Sequence, residues 1–156
     1  MKKRFASTLI LSISCAYVFC QDSTEKKDTY STIQKDSIAK SLVPVEGKAI
    51  VYILRPSKVA FVVKMGLKCD NVRIGGTKAD TYVYSVLEPG KHTFLSTSEN
   101  QATLSVTLEG GKIYYIRQEV KMGVFFAETG LKLEDEQKGQ KDLRKCTLAR
   151  DNVYTN

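Results

Sequence analysis

Apolar and polar residues alternate over short stretches from position 49 onwards, and this alternation predicts strands. Residues 49–54 form an unbroken apolar run, which is typical of a strand buried on both faces. The alternation is clean in residues 102–108, so Leu104 is expected in the core and Thr103 on the surface. The same pattern predicts further strands at 61–69, 72–74, 81–87, 92–97 and 113–120, and a last one near 131–133.

Turn residues separate the predicted strands, as expected for an all-β or mainly β domain. Asp70-Asn71 and Glu88-Pro89-Gly90 predict turns into returning strands, and the glycine pair at 75–76 predicts the end of another strand. Residues 134–145 carry the one convincing helix signal, since acids begin the segment and bases end it, although Gly139 weakens the signal. The whole pattern predicts an antiparallel β-sandwich, or a partly open barrel, with one short C-terminal helix.

The first twenty residues depart from this pattern and have the layout of a secretory signal. Bases occupy positions 2–4, residues 5–19 carry no charge, and ionised residues begin again with Asp22. The uncharged stretch is too short and too rich in serine for a convincing membrane span. We therefore expect residues 1–20 to be a signal peptide. The protein is then exported, to the periplasm, to a membrane as an anchored lipoprotein, or out of the cell.

The end of this signal allows two kinds of processing. Cleavage after Cys20 would leave Gln21 as the mature N-terminus. Alternatively, Leu11-Ser-Ile-Ser-Cys15 resembles a bacterial lipoprotein box, in which the cysteine is lipidated and becomes the N-terminus. Leu11 lies one residue further upstream than in the usual box. Cys15 is therefore a lipidation candidate, and simple cleavage stays open beside it.

Composition divides the rest of the chain into three parts. Residues 21–46 are polar and mixed in charge, which predicts a flexible tether with a short helical turn near 33–42. The β-sandwich domain is expected to occupy 47–150, followed by a short tail at 151–156. A domain of this size can build an apolar core without a metal or several disulfides.

The charge of the chain gives little reason to expect a nucleic-acid partner. The formal net charge is +7, from 24 bases and 17 acids, and three of the bases lie at positions 2–4. The other bases are scattered among acids, as on an ordinary solvated surface. We expect no nucleic acid among the partners.

Two cysteines, Cys69 and Cys146, belong to the expected domain. In an oxidising compartment, two cysteines suggest one disulfide. The alternative is two separate buried thiols that act as small apolar side chains. Sequence alone leaves both open, because it does not show whether the residues are within bridging distance.

Three segments of the domain resemble a known family. They are Lys48-Ala-Ile-Val-Tyr-Ile-Leu-Arg-Pro56, Leu87-Glu-Pro-Gly-Lys-His-Thr-Phe94, and Gly111-Lys-Ile-Tyr-Tyr-Ile-Arg-Gln-Glu-Val-Lys-Met-Gly123. Together they are similar to the bacterial exported-protein family called domain of unknown function twenty-eight forty-six. The second segment also resembles the turn of PEGA-type modules, which are small β-sandwiches of cell envelopes. The resemblance implies export and an immunoglobulin- or PEGA-like sandwich, and it brings no known activity.

The sequence assigns no catalytic residue, cofactor or metal. His92 is the single histidine, and one imidazole without further ligands at a suitable spacing makes a poor metal site. A Cys–His nucleophilic pair would need Cys69 or Cys146 to be an unpaired thiol beside His92. We expect His92 to be an ordinary strand residue.

Two segments are candidates for contact with a partner. Arg117, Glu119 and Lys121 fall on one side of their strand, either as a binding face or as a charged face that maintains solubility. The apolar residues Val124, Phe125 and Phe126 follow that strand and form either part of the core or an exposed tip.

The function that these observations favour is a non-catalytic binding or structural module of the bacterial envelope. Its partner would be an unknown envelope protein or a membrane surface. The alternative is a small-molecule carrier or an enzyme that uses a cavity inside the β-fold.

Overall fold

Two β-sheets and two helices make up the described part of the protein, which in this computed structural model comprises residues 32–45, 47–122 and 127–153. The elements are, in order, α1 (Thr32–Lys40), β1 (Ala49–Arg55), β2 (Met65–Cys69), β3 (Val72–Thr77), β4 (Thr81–Leu87), β5 (Gly90–Thr97), β6 (Gln101–Leu108), β7 (Ile113–Met122), β8 (Ala127–Glu134), α2 (Glu136–Lys145) and β9 (Thr147–Leu148). The first sheet has the order β8-β7-β1-β4-β9, and the second has the order β3-β2-β5-β6. Most pairs are antiparallel, whereas β1–β7 and β4–β9 are parallel. The prediction of a mainly β sandwich is confirmed.

Strand β1 is buried along its whole length because the first sheet is covered on both faces. Ala49, Val51 and Ile53 point into the core between the two sheets. Tyr52 and its even-numbered neighbours point to the opposite side, into a second core beneath the helices. This arrangement explains why the β1 sequence is continuously apolar instead of alternating.

Strand β6 is buried on one face only, and the predicted alternation of apolar and polar residues along it is confirmed. Val106 and Leu108 are buried and Leu104 packs against the core between the sheets, whereas Thr103 is exposed. A strand at the edge of a sandwich needs one apolar face, so its sequence repeats with a period of two.

Helix α2 forms where the sequence predicts it, and Asp135 caps its N-terminus by accepting a hydrogen bond from the Lys138 N–H at 2.8 Å. Gly139 has a packing role in this helix. A Cβ atom at position 139 would overlap Cγ of Tyr115 on β7. The glycine therefore lets the helix backbone approach the sheet closely.

Helix α1 lies in the segment for which the sequence predicts a tether with a short helical turn. Ala39 is buried in the core beneath the helices, and the Tyr52 hydroxyl donates a hydrogen bond to its carbonyl oxygen at 2.6 Å. Asp36 accepts a hydrogen bond from the Leu148 N–H at 2.8 Å. These contacts come from distant residues, so the segment 32–40 docks on the sheet despite its polar composition. Neither described helix, of nine and ten residues, is long and apolar enough to span a membrane.

The strand predicted at 61–69 is wrong in its first half, because β2 begins only at Met65. Phe61, expected to face inwards, is 68% exposed. The buried Arg55 explains the difference. Its guanidinium donates hydrogen bonds to the carbonyl oxygens of Val63 at 2.6 Å and Ala60 at 2.7 Å, so the chain wraps around the arginine instead of pairing with a strand.

Two smaller expectations also differ from the structure. The glycine pair 75–76 lies inside β3 and does not end it. The turn at 88–90 carries the chain from the first sheet to the second, so β5 does not return along β4. Strand β9 was not predicted, because two residues are too few to show a periodic pattern.

Of the two alternatives for the cysteines of the domain, the structure contradicts the disulfide. Cys69 and Cys146 are both free and buried, which fits the alternative of two separate thiols. Cys69 lies in the core between the sheets, whereas Cys146 lies in the core beneath the helices. Because the first sheet separates these two cores, the sulfur atoms cannot meet.

One end of the space between the sheets holds a buried chain of polar side chains. Thr77 donates a hydrogen bond to the Gln118 side-chain carbonyl, and the Gln118 amide donates to the Ser96 hydroxyl at 2.6 Å. The Ser96 and Thr129 hydroxyls are 2.7 Å apart. Each member has a partner, which makes burial of these groups tolerable. Apolar and polar side chains together thus fill the interior of the sandwich.

Candidate anion-binding groove

A groove with a volume of about 460 Å³ opens between α1, β9 and the start of β4. Its charged lining consists of three bases, Lys64, Lys78 and Arg150, and one acid, Asp151. A smaller groove of about 170 Å³ continues past Arg150 and adds Lys35 to the basic side chains. Bases therefore outnumber acids in the lining of the two grooves.

The C-terminal segment builds one wall of the groove. It pairs with β4 through β9, and the Ala149 N–H donates to the Tyr82 carbonyl oxygen at 2.8 Å. Further along, the Val153 N–H donates to the Ile74 carbonyl oxygen of the second sheet at 3.0 Å. Because both ends of the segment are held by backbone hydrogen bonds, the residue between them, Arg150, has a fixed position at the groove.

Helix α1 builds the opposite wall, and its first residue, Thr32, lines both grooves. The first turn of the helix contains no acidic residue. The positive end of the helix dipole thus adds to the charge of the neighbouring bases. The Asp36 bond to the Leu148 N–H fixes the distance between the two walls.

The ion pairs in the groove leave three bases without a carboxylate. The Asp151 carboxylate forms ion pairs with Lys64 at 2.6 Å and Arg73 at 3.0 Å, so its negative charge is already neutralised. Within the described residues, no carboxylate forms an ion pair with Lys35, Lys78 or Arg150. The groove therefore attracts anions, and it has a size at which proteins hold small ligands.

The strand face proposed from sequence, Arg117, Glu119 and Lys121, is only partly available to a partner. Arg117 donates a hydrogen bond to the buried carboxylate of Asp142 on α2, which also pairs with Lys145 at 3.1 Å. Glu119 is half-buried, and only Lys121 is exposed. The arginine thus ties the helix to the sheet.

Two further candidates lie outside the described residues. These are the lipidation candidate Cys15 and the apolar segment Val124, Phe125 and Phe126. On either side of that segment, β7 and β8 pair as far as Met122 and Ala127.

The two thiols are poor nucleophiles. Burial, assisted by the neighbouring carboxylate of Asp70, raises the pKa of Cys69 to about 12. Burial also raises the pKa of Cys146 to about 12, with further contributions from Asp80 and Asp142. Cys69 lies beside His92, but a thiol that keeps its proton at neutral pH does not support nucleophilic catalysis.

The sequence did not predict this groove. Its bases lie far apart in the chain, at positions 35, 64, 78 and 150, and each is unremarkable among its neighbours. Only the docking of α1 and the C-terminal segment on the same edge of the first sheet brings them together.

The chain belongs to the family DUF2846, which is described as "Protein of unknown function". The model of this family matches residues 45–131. This match covers β1 to the middle of β8 and confirms the family resemblance of the sequence. An uncharacterised protein of Haemophilus influenzae is 28% identical to the chain over 151 residues, which is 96% of this chain and 87% of that relative. No solved structure matches the chain.

Proposed function

We propose that this protein is an exported, non-catalytic module of the bacterial envelope that binds an anionic ligand in the groove between α1 and β9. The observation that carries the proposal is the set of three bases without carboxylate partners, Lys35, Lys78 and Arg150, around one open groove. Such bases lower the potential energy of a carboxylate or phosphate group placed among them.

Two features support binding at this site. Thr147 lines the groove and adds a hydroxyl group to its basic side chains, while the Thr81 hydroxyl holds the Lys78 backbone by donating to its carbonyl oxygen and accepting from its N–H. The walls are tied to the sheet by backbone and carboxylate hydrogen bonds, so little conformational entropy is lost when a ligand enters.

Export is supported by the N-terminal sequence. A basic start, an uncharged stretch and a polar continuation are the three parts of a secretory signal. The similarity to the Haemophilus influenzae protein covers 96% of the chain, so it is not confined to the folded domain.

A carrier or an enzyme with a cavity inside the β-fold has less support. The space between the sheets is occupied by the apolar core and by the hydrogen-bonded chain from Thr77 to Thr129. The thiols are kept protonated by burial. A surface groove is therefore the better candidate for ligand binding.

The groove is tested by charge reversal at its three bases without carboxylate partners. The variant K35E/K78E/R150E is compared with K91E/K121E/K132E, which changes three exposed lysines elsewhere by the same total charge. Both are titrated with inorganic phosphate and with acetate, and backbone NMR signals are followed at two salt concentrations.

We expect the native chain and the control to show saturable shifts centred on the amides of Lys78 and Arg150, weaker at high salt because ions screen the groove. The groove variant loses these shifts. Loss of binding in the control instead would place the site at one of the three control lysines and not in the groove, and shifts spread evenly over the surface would refute a defined anion site.

A further inference from the structure

Three side chains with metal-ligating atoms converge where the β2–β3 turn meets β5. They are Cys69, Asp70 and His92, whose ligand atoms all lie within 4.8 Å of one another. Sγ of Cys69 is 3.7 Å from Oδ2 of Asp70 and 3.9 Å from Nδ1 of His92. Nδ1 of His92 is 2.6 Å from the same Oδ2 atom.

The backbone holds the three residues in this arrangement. Asp70 and Asn71 both have positive φ angles, 48° and 67°, as the central residues of a tight hairpin turn. The Asp70 N–H donates to the Thr93 carbonyl oxygen at 2.9 Å, and Cys69 pairs with Phe94 across the sheet. The turn and β5 thus form one unit, and the cluster does not depend on a flexible loop.

A second set of hydrogen bonds orients the ligand atoms. Nε2 of His92 donates to the Glu88 carbonyl oxygen at 2.9 Å, which directs Nδ1 towards the cluster. The Thr93 N–H donates to Oδ1 of Asp70 at 2.8 Å, which directs Oδ2 towards the same point. Histidines and carboxylates that bind metals are held in this way by their other polar atoms.

We propose that Cys69, Asp70 and His92 form a Zn²⁺ site, with Sγ, Oδ2 and Nδ1 as three ligands and a fourth position open to water or to a donor from a partner. Thiolate sulfur, imidazole nitrogen and carboxylate oxygen are all ordinary ligands of Zn²⁺. One thiolate and one carboxylate carry two negative charges together, which balance the two positive charges of the cation when the imidazole ligand is neutral.

The spacing of the ligand atoms fits a tetrahedral site after a small movement. Ordinary zinc–ligand bond lengths put neighbouring ligand atoms about 3.4–3.6 Å apart. The two distances from Sγ, 3.7 and 3.9 Å, are already close to this range. The shorter distance between Nδ1 and Oδ2 opens when the metal replaces their hydrogen bond, and the Asp70 side chain, 48% exposed, has room to turn.

The bonds and protons balance without a redox step. Zinc replaces the proton on Sγ of Cys69 and the proton of the hydrogen bond between Nδ1 of His92 and Oδ2 of Asp70, and both protons pass to the solvent. Nε2 keeps its proton and its bond to the Glu88 carbonyl oxygen.

The test uses the full chain without a polyhistidine tag and with C15S and C20S, so that Cys69 and Cys146 are the remaining thiols. ZnCl₂ is added under reducing conditions while the imidazole NMR signals are followed. Because the chain contains one histidine, these signals report His92 without a mutation. A parallel titration with Co²⁺ detects a metal–thiolate bond by its charge-transfer absorption.

We expect one equivalent of Zn²⁺ to saturate the His92 signals and shift Nδ1 more than Nε2. The variants C69A, D70N and H92Q should each weaken Zn²⁺ binding at least tenfold, a conservative limit because loss of an outer-shell partner alone costs about 10–100-fold. The matched control C146A, which removes the other buried thiol, should bind like the parent and retain the Co²⁺–thiolate absorption.

Unchanged His92 signals at one equivalent of Zn²⁺ would overturn the proposal. So would a Co²⁺–thiolate absorption that survives in C69A or disappears in C146A. If C69A does not fold because its core contact is lost, D70N and H92Q decide the question, since both residues lie at the surface end of the cluster. Binding that is equally strong in D70N and H92Q refutes the site.

Discussion

At the scale of single residues, Arg55 decides the course of the chain after β1. Its side chain is fully buried, and its guanidinium contacts backbone carbonyl oxygens of the loop 57–64. Burial lowers the pKa of Arg55 from its ordinary value. The carbonyl contacts offset part of the cost of removing the charge from water, because hydrogen bonds to an ionised donor are stronger than neutral ones.

Replacement of Arg55 by methionine should therefore loosen the loop. We expect R55M to lower the free energy of unfolding by about 2–4 kcal/mol. Hydrogen exchange at the Val63 amide, which donates to the Ala60 carbonyl oxygen at 3.0 Å, should become faster than the global change explains. Urea unfolding and amide exchange measure the two effects.

The control for this prediction is R73M, the same change at an arginine whose side chain is 57% exposed. It removes an exposed ion pair with Asp151 and should cost less than about 1 kcal/mol. Equal costs at both positions, with normal protection at Val63, would show that Arg55 does not organise the loop.

At the scale of elements, α2 packs closely on β7 because Gly139 of the helix lies against the Tyr115 ring of the strand. Tyr115 stacks on Tyr52 with ring centroids 5.7 Å apart, in the core beneath the helices. Gly139 leaves the space that this ring needs. A residue that weakens the helix by its intrinsic propensity is thus required by the packing of the helix on the sheet.

The substitution G139A separates these two effects. Alanine favours an exposed helix by about 1 kcal/mol over glycine. Here its Cβ would overlap the Tyr115 ring, and we expect a net loss of about 1–3 kcal/mol in the free energy of unfolding. Thermal and urea unfolding of G139A, Y115A and the double variant measure the coupling.

In the double variant, removal of the ring should reduce the penalty of G139A, and the part caused by Cβ of residue 115, which Y115A keeps, should remain. The control K141A, at an exposed position of the same helix, should change stability by less than about 0.5 kcal/mol. A stabilising G139A would contradict the close approach of α2 to the sheet.

At the scale of the whole molecule, the sandwich is completed by segments outside the family match at 45–131. Helices α1 and α2 cover the outer face of the first sheet, and β9 extends its edge. The groove lies between such segments and the matched part of the chain, whereas the Cys69 cluster lies entirely within the match. The two proposed sites therefore belong to different parts of the architecture.

The N-terminal sequence leaves two outcomes open, attachment of the molecule to a membrane through a lipid on Cys15 and simple cleavage after Cys20. If Cys15 carries lipid, C15A should move the protein from the membrane fraction to the soluble fraction of the cell envelope. Mass spectrometry of the native protein should find a lipidated N-terminus at Cys15. The control C20S should leave the distribution unchanged, and an unlipidated N-terminus at Gln21 would establish simple cleavage.

The fold class and most strands could be predicted from the sequence, because alternation and turn residues act locally. The unbroken apolar run of β1 even indicated burial on both faces. The sequence also placed α2 within two residues at its start, since charge and capping at helix ends are local too.

Contacts between residues that are distant in the chain could not be predicted in this way, because they depend on how the sheets and helices pack. The tertiary structure separated Cys69 from Cys146 by a sheet, joined Cys69 to His92 across paired strands, and wrapped the loop after β1 around Arg55. It also gathered the bases of the groove from both ends of the domain. Periodicity reports the face on which a side chain lies, whereas sheet order and helix docking set its neighbours, and these depend on packing of the whole chain.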